Sequence, residues 1–415
     1  MLKQVLKKGR KMQRPKILYV LCTALMKYDD KIYLYDKRNL SAAEIYTTFF
    51  GDVTYLARIR KAKSIYDFFC PLDINQFRMA SLPDYGISGP RGLLAILRLI
   101  FSPAVNKRIR DLVQECSLVY VEAPSIEGWV VARWCKKLGK KIVLEMNTES
   151  TLICRYMWMR FGLAGLVLVP LFKSMFAFVR SQAVAGVFVN KSLVERYPLF
   201  GNLKAAISDV NIDDDWFSTE SRIFNKPASR FLFVGNLEKV KQVNLLISAL
   251  ALVKDDLPAG WNLKIVGEGP ERPVLEKLAA SLGIGQNVKF IGHLPHNGLL
   301  RNTYNESDML LVASISETGP RVVIEAMAMG LPVFSTRVGI VPEVIDGQCL
   351  VSRKISAEGY GQALLKLALD PVRLTQISNN NRNKAVAFRL SIIYELRKDI
   401  YSRALKISMA ECPGK

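Results

Sequence analysis

The chain has 415 residues, of which 50% are hydrophobic and 23% are charged; this balance excludes a disordered protein, and the length predicts two domains of about 200 residues each. Its seven cysteines are scattered, without a Cys-x-x-Cys pair, which excludes a disulfide framework and a zinc module and indicates a reducing cytosol. The formal net charge of +21 indicates an anionic partner, and because no nucleic-acid module is recognisable we expect no nucleic acid.

The N-terminal half shows several short apolar runs. The run at 17–21 is too short for a secretory signal and predicts a buried strand. A helix is predicted from Ser125 to Leu138, with a capping serine at its start and Gly139 at its end. Strands are predicted at 16–21, 52–56, 118–121, 141–146 and 186–189.

A twelve-residue apolar run lies at 161–172 in this half. Twelve residues are too few to span a bilayer, which needs about 20. The flanking cations favour an interfacial helix on an anionic membrane, whereas Pro170 equally favours a buried helix pair kinked at that residue. Both interpretations stay open, although residues 1–215 carry +14 of the net charge (33 Lys+Arg, 19 Asp+Glu), which favours an anionic membrane surface or acceptor. The flanking cations are Arg155, Arg160, Lys173 and Arg180.

A polar stretch at 208–228 is expected to join the two domains. It contains Asp213 and Asp215, which we interpret as part of a solvated turn in preference to a metal-binding carboxylate pair.

The C-terminal half alternates short apolar strands with helices. Strands are predicted at 231–234, 263–266, 288–291, 308–312 and 332–335, and helices at 243–253, 270–282 and 322–329. This alternation predicts an α/β protein with two doubly wound, Rossmann-like parallel-sheet domains. The predicted divisions are 1–215, an N-terminal acceptor-binding domain; 216–388, a C-terminal donor-binding domain; and 389–415, a C-terminal helix that returns to the N-terminal domain.

Three glycine-containing turns of the C-terminal half follow strands and precede helices: 235–236, 267–270 and 317–320. In a parallel sheet all three fall at the carboxyl edge, where ligands bind. Backbone N–H groups and helix N-termini at that edge favour a phosphate. Three such turns together therefore predict a nucleotide or diphosphate site.

Two carboxylates flank the helix that follows the third turn. Glu317 precedes it, and Glu325 lies in its second turn. Pro320 is expected at the first helical position, where its missing N–H is not needed. Both carboxylates can accept hydrogen bonds from sugar hydroxyls. Taken alone, Glu325 is better explained as an ordinary helix-surface glutamate and Glu317 as a charge that complements the helix dipole.

Residues 317–333 resemble a known signature. They are similar to the E-x7-E motif and the following "EAMAxGxPV" of family 4 glycosyltransferases, which are retaining enzymes with a two-domain GT-B fold. The resemblance includes the blocks at 213–217, 233–249, 265–270, 288–292 and 338–344. The resemblance covers residues from about 205 to 350. Before residue 205 only the pattern of predicted strands and helices agrees with the family.

The resemblance implies roles for individual residues. Glu317 would hold the donor sugar, and Glu325 the ribose. Lys241 would neutralise the diphosphate leaving group. The loop positions Gly235, Asn236, Glu268, His293, Leu294, Gly319 and Arg321 would line the donor site. Neither a metal nor a cofactor is required, because lysine and the helix N-terminus would stabilise the developing charge.

The sequence also departs from the family. Asn236 stands where the family usually has arginine, and Pro320 can donate no N–H, so we expect Arg321 to replace the missing cation. The usual N-domain histidine has no counterpart. Lys27, Glu145 and Glu149 are the candidates on the acceptor side, although a structural role is favoured for each glutamate.

The sequence therefore predicts a cytoplasmic glycosyltransferase, peripheral on the inner face of the cell membrane. It would transfer sugar from a nucleotide-sugar donor to a glycan or lipid-linked acceptor in bacterial surface polysaccharide or glycolipid synthesis. Two alternatives are a catalytically degenerate binding or scaffold protein of the same fold, and another nucleotide-sugar enzyme such as an epimerase. An epimerase needs acid–base residues, often histidine, for which His293 and His296 are not well positioned in the sequence.

Overall fold

The computed structural model describes residues 15–34, 47, 50–62, 70–72, 77–84, 89–147, 154, 165–199, 201, 203–210, 212–217, 222–296 and 298–410. The chain forms two compact units. Unit 1 comprises residues 1–207 and 396–415, and unit 2 comprises residues 208–395. The predicted functional divisions at 215 and 388 stay predictions.

Unit 1 is built on one large sheet. Its strands are β1 (Lys16–Val20), β2 (Leu25–Tyr28), β3 (Lys31–Leu34), β4 (Asp52–Lys61), β5 (Cys70–Pro71), β6 (Arg78–Pro83), β7 (Leu118–Glu122), β8 (Ile142–Met146), β9 (Ala183–Phe188) and β10 (Leu203–Ala206). Their order is β10-β9-β8-β7-β1-β4-β2-β3-β5, with β6 also paired to β4. The pairs between β10 and β4 are parallel.

The described helices between these strands of unit 1 are α1 (Gly89–Phe101), α2 (Pro103–Glu115), α3 (Ile126–Leu138), α4 (Gly165–Ser181) and α5 (Lys191–Arg196). The predicted ends of α3 are confirmed, because Ser125 Oγ accepts from Gly128 N at 3.1 Å and Gly139 adopts a left-handed conformation.

A β-hairpin follows β1, where the sequence predicted no strand. Strands β2 and β3 pair antiparallel through a turn in which Asp29 and Asp30 both have positive φ, at 46° and 57°. Two consecutive positive-φ residues are typical of a type I′ hairpin turn, which usually contains Asn-Gly or Asp-Gly. Lys27 therefore lies on a strand, and its Nζ is 2.9 Å from Asp30 Oδ1.

Helix α4 contains the described part of the apolar run. It is one helix through Pro170, so the predicted helix pair is wrong for these residues. Its later turns bury Phe176 and Val179, whereas Leu166 and Val167 near its start are 61% and 71% exposed. Residues 161–164 lie outside the described residues. Of the two alternatives, a buried helix thus describes only the C-terminal turns of α4.

Unit 2 has a six-stranded parallel sheet of β11 (Arg230–Val234), β12 (Asn262–Val266), β13 (Val288–Gly292), β14 (Met309–Val312), β15 (Val333–Thr336) and β16 (Leu350–Val351). Its helices are α6 (Val243–Leu252), α7 (Arg272–Ser281), α8 (Gly298–Asn305), α9 (Arg321–Ala328), α10 (Val341–Val344), α11 (Ala357–Ala368) and α12 (Pro371–Ala385). The strand order β13-β12-β11-β14-β15-β16 reverses direction between β11 and β14. That reversal is the point where open α/β sheets bind ligands.

A 3-10 turn, Asp214–Trp216, lies near the start of unit 2. Asp214 pairs with Arg389 at 2.9 Å, and Asp215 pairs with Arg301 at 2.6 Å. Asp213 and Asp215, the two carboxylates of the predicted turn, are both exposed, as is Asp214. The interpretation as a solvated turn agrees with these contacts.

The C-terminal helix α13 (Leu390–Ala410) begins in unit 2 and ends in unit 1. In unit 1, buried Tyr401 packs edge-on against Tyr120, with ring centroids 4.7 Å apart. Ser408 Oγ donates to Ser117 O at 2.7 Å. These contacts make the end of α13 part of the unit 1 core.

Candidate functional site

A lysine–carboxylate pair lies at the reversal point of the unit 2 sheet. Lys241 ends the short 3-10 turn Lys239–Lys241 after β11, and Glu317 lies in the loop after β14. Lys241 Nζ donates to Glu317 Oε1, which also accepts from Ser314 Oγ at 3.1 Å. The two side chains are 25% and 16% exposed. The pair is therefore accessible to a ligand while its geometry is fixed by neighbours.

Backbone contacts hold the surrounding loops close together. Ile315 N donates to Val240 O at 3.0 Å, which joins the loops after β14 and β11. Gly267 has φ +136°, and a Cβ at this position would collide with the carbonyl of Gly235. Only glycine fits there, so the turns after β11 and β12 form one continuous backbone surface at the carboxyl edge. The predicted convergence of these two turns is present.

Glu325 lies in a buried hydrogen-bonded network, not on the helix surface. Its side chain is 2% exposed. Its Oε2 accepts from Tyr304 OH at 2.9 Å, and His296 Nε2 lies 2.9 Å from its Oε1. The His296 ring stacks on Trp216, with centroids 4.4 Å apart. The interpretation of Glu325 as an ordinary surface glutamate is therefore wrong, since α9 points this residue into the unit.

Helix α9 begins one residue later than the sequence predicts. Its first residue is Arg321, and Pro320 precedes it with φ −67° and ψ 103°, which is extended backbone. The prediction that Pro320 occupies the first helical position is thus wrong. Gly339 meets this loop from the other side, where a Cβ would collide with the carbonyl of Thr318. Ile340 N donates to Thr318 O at 3.0 Å, which fixes the backbone beside Gly319.

The other predicted donor-side residues lie on the loops of the same edge. Asn236, Glu268 and His293 are exposed, Leu294 packs partly into the unit 2 core, and Arg321 is half-buried at the start of α9. Glu268 Oε1 accepts from Arg272 Nη1. Among the described residues no group of three or more His, Cys, Asp or Glu is arranged to hold a metal ion. The absence of a metal or cofactor from the reaction stays a prediction.

The acceptor-side candidates lie in unit 1. Glu145, near the end of β8, is buried and accepts from Arg397 Nη1 of α13 and from Tyr19 OH at 2.8 Å. Tyr401 OH lies 3.4 Å from the same carboxylate. Glu145 thus ties α13 to the sheet of unit 1, which is a structural position. Glu149 lies outside the described residues.

A second carboxylate that the sequence did not single out lies beside Glu145. Glu122, at the end of β7, accepts from Tyr19 OH at 3.1 Å and from Cys22 N at 3.0 Å. Tyr19 OH therefore bridges the two carboxylates. Burial, reinforced by the negative charge of Glu145, raises the pKa of Glu122 to about 7.

This raised pKa predicts a pH-dependent stability. The folded state favours the protonated form of Glu122. The stabilisation that this form gives the folded protein is fully present below pH 4.5, and it is lost as the pH rises towards about 7 and the carboxyl ionises. We expect the free energy of unfolding to fall by about 3 kcal/mol across this window. Urea unfolding at several pH values should show a flatter profile for Glu122→Gln. Identical profiles for the variant and the natural protein would contradict this assignment.

Four side chains of the unit 2 site were not predicted from the sequence: Trp216, His296, Tyr304 and Ser314. Ser314 lies two residues after β14, so the predicted strand at 308–312 was enough to place it at the carboxyl edge of the sheet. The contact between His296 and Glu325 depends on the path of the loop after β13, which no local pattern specifies. Trp216 lies in the polar stretch that the sequence indicated only as a linker.

Comparison with known sequences finds a family match in the C-terminal part of the chain. Residues 214–384 match the family "Glycosyl transferases group 1". The chain is 35% identical over 115 residues to the N-acetyl-alpha-D-glucosaminyl L-malate synthase of Bacillus anthracis, covering 28% of this chain and 29% of that protein. It is 24% identical over 276 residues to Protein CapJ of Staphylococcus aureus, covering 63% and 62%. The alignments thus span less than two thirds of both relatives.

Solved structures match nearly the whole chain. The HepE protein of Anabaena in complex with UDP superposes with a TM-score of 0.65 at 15% identity, covering 94% of this chain and 100% of that one. The lipopolysaccharide outer core galactosyltransferase WaaB superposes with a TM-score of 0.66 at 14% identity, covering 95% and 100%. At these identities the likeness establishes the fold. The protein therefore has the GT-B fold, and its residues 214–384 match the glycosyl transferases group 1 family.

Proposed function

We propose that the protein is a retaining glycosyltransferase. It transfers a sugar from a nucleotide-sugar donor to a glycan or lipid-linked acceptor, without a metal ion, in the synthesis of bacterial surface polysaccharide or glycolipid. The observation that carries this proposal is the Lys241–Glu317 pair at the reversal point of the unit 2 sheet, inside the matched family domain. The position is the one where such sheets bind nucleotides.

The chemistry follows from the charges at this point. When the bond between the sugar and the diphosphate breaks, negative charge develops on the departing phosphate. Lys241 and the N-terminus of α9 supply positive charge to stabilise it. Glu317 then exchanges its contact with Lys241 for hydroxyls of the donor sugar. The acceptor hydroxyl attacks on the face that the diphosphate leaves, and its proton passes to the departing phosphate oxygen. The product therefore has retained anomeric configuration.

Glu325 is assigned to the nucleoside end of the donor. Tyr304 OH donates to its Oε2, and His296 Nε2 lies 2.9 Å from its Oε1. Because Glu325 is 2% exposed and the His296 side chain is 29% exposed, we assign ribose recognition to both residues together. The Trp216 ring, stacked on His296, fixes the orientation of the imidazole.

The names of structural neighbours support a nucleotide-sugar donor and a surface-glycan acceptor. HepE was solved with UDP and with UDP-glucose. WaaB is named a lipopolysaccharide outer core galactosyltransferase, and WaaG is described as involved in lipopolysaccharide biosynthesis. WaaB and WaaG are 14% and 16% identical to this chain, so they guide the choice of substrates to test.

The proposed reaction can be tested without knowing the acceptor, because water can replace it in a slow hydrolysis of the donor. Proton NMR of the reaction of α-linked UDP-, GDP- and ADP-sugars should show the α-anomer of the released sugar first. Release of the β-anomer first would exclude retention. No release, together with no donor binding, would contradict the proposed transfer.

Arg321 is expected to replace the arginine that the family usually has at position 236. It is the first residue of α9, next to the loop that carries Glu317. We expect Arg321→Ala to weaken nucleotide-diphosphate binding about tenfold, since one charge-assisted phosphate contact is worth roughly 1.5 kcal/mol. Calorimetry with UDP and with uridine should show the loss for UDP only. An unchanged affinity for UDP would remove Arg321 from the site.

We also propose that unit 1 docks on an anionic membrane, from which it takes a lipid-linked acceptor. The outer face of α1 carries Leu94, Leu97 and Phe101 at helical spacing, and these side chains are 57%, 42% and 70% exposed. Arg98 lies on the same face and is exposed. An exposed apolar stripe with a cation suits an interfacial helix. Among the described residues no helix is long and apolar enough to cross a membrane.

Substituting the stripe tests the membrane proposal. Phe101→Glu should reduce flotation with phosphatidylglycerol vesicles about tenfold, because it removes an exposed aromatic side chain that would insert into the membrane and adds a charge that the membrane repels. The matched control is Leu252→Glu, at an exposed leucine of unit 2 that is 60% exposed. Equal flotation of the two variants would contradict docking through α1.

A further inference from the structure

Unit 1 contains a cavity at the edge of its sheet opposite Glu122 and Glu145. It lies at the starts of β8 and β9, beside the ends of α3 and α4 and the last turns of α13. Its volume is about 690 Å³. This volume is within the range of small-molecule sites, which is about 300 to 1,000 Å³.

The cavity has a strongly cationic lining. Two neutral polar side chains and four cations contribute to its wall: Ser181, Gln182, Lys136, Lys140, Lys141 and Arg403. Among the described lining residues there is no aspartate or glutamate. Four cations around one concave space form an environment that favours an anion, because the walls concentrate the field inside the cavity.

Negative groups also lie near this lining. Helices α3 and α4 end at the cavity, and each helix C-terminus carries about half a negative charge. Lys140 Nζ donates to Cys116 O at 2.6 Å, and Arg403 lies 3.3 Å from Asp399.

We propose that this cavity is a binding site for a ligand that carries two or more phosphate groups. Four cations around one cavity can contact more than one phosphate group, so a diphosphate or a pair of phosphates suits this lining. The shared chemistry belongs both to soluble phosphorylated compounds and to phospholipid headgroups. Because Arg403 lies on α13 and the lysines lie on α3 and at the start of β8, a bound phosphate would also join the C-terminal helix to the sheet.

The test compares two variants of the full chain with equal change in charge. Lys136→Gln with Arg403→Gln removes two lining cations. The matched control is Lys137→Gln with Lys406→Gln. These two cations lie on the same helices, α3 and α13, but their side chains do not line the cavity. Both variants keep Lys241, so a difference between them does not arise at the proposed donor site. The probes are inorganic pyrophosphate, followed by calorimetry, and phosphatidic acid vesicles, followed by flotation.

We expect the cavity variant to bind one probe at least about tenfold more weakly than the control does, since it loses half of the lining cations. Loss for pyrophosphate alone would identify a soluble ligand. Loss for the vesicles would identify a lipid headgroup. Equal binding by both variants, or no binding of either probe by the natural protein, would overturn the proposal and leave the lysines as complements to the helix ends.

Discussion

Lys241→Gln is expected to lower kcat/KM for sugar transfer about 100-fold or more, the usual effect of removing one group that stabilises charge in a transition state. The expected loss appears in kcat, because the negative charge on the leaving phosphate is largest in the transition state. Lys241 is well placed for this role: it ends the turn after β11 and contacts Glu317 across the reversal point of the sheet. Steady-state kinetics with the donor identified by NMR measures the effect.

Two further variants separate catalysis from structure at this position. Lys239→Gln removes an exposed cation of the same turn and should leave kcat unchanged. Lys241→Arg keeps the charge and should restore part of the activity. If Lys239→Gln and Lys241→Gln lowered kcat equally, a general field effect rather than a specific contact would be responsible.

Glu145→Ala is expected to lower the free energy of unfolding by about 3 kcal/mol or more, since it leaves a buried cation without its carboxylate. Arg397 is 11% exposed and donates to Glu145, which also accepts from Tyr19 OH at 2.8 Å. The contact joins α13 to β8. Urea unfolding of the full chain, followed by tyrosine fluorescence or circular dichroism, measures the loss.

The same experiment separates the structural assignment of Glu145 from the acceptor-binding role predicted from the sequence. A role in acceptor binding would raise KM for the acceptor and leave unfolding unchanged. The control is Glu115→Ala, which breaks an exposed 3.8 Å pair with Lys16 and should cost less than about 1 kcal/mol. Equal stability of the Glu145→Ala and Glu115→Ala variants would contradict the structural assignment.

The fold was largely predictable where buried strands alternate with helices. In unit 2 each predicted strand lies within one or two residues of its observed bounds, because short apolar runs end at glycine or polar residues. In unit 1 the pattern fails where charged side chains are buried. β4 continues through Arg58, whose guanidinium contacts the buried Glu127, and a sequence pattern treats such an arginine as the end of a strand.

The site was predictable to the level of the loops but not of the contacts. Three glycine turns indicated the carboxyl edge of the sheet, and the E-x7-E resemblance selected Glu317 and Glu325. The contact of Lys241 with Glu317 spans 76 residues, and that of Glu325 with His296 spans 29. Such pairs depend on how strands are ordered in the sheet and on loop paths, neither of which a local pattern contains.

Donor binding tests the central claim most directly. Saturation-transfer NMR of the folded protein against UDP-, GDP- and ADP-sugars should give a signal from one nucleotide family. Glu325→Gln keeps the shape of the buried network and should weaken that signal, since it removes the charge that His296 and Tyr304 contact. No signal from any nucleotide sugar, with the protein folded by circular dichroism, would contradict the account and favour a binding protein that has kept the fold without the reaction.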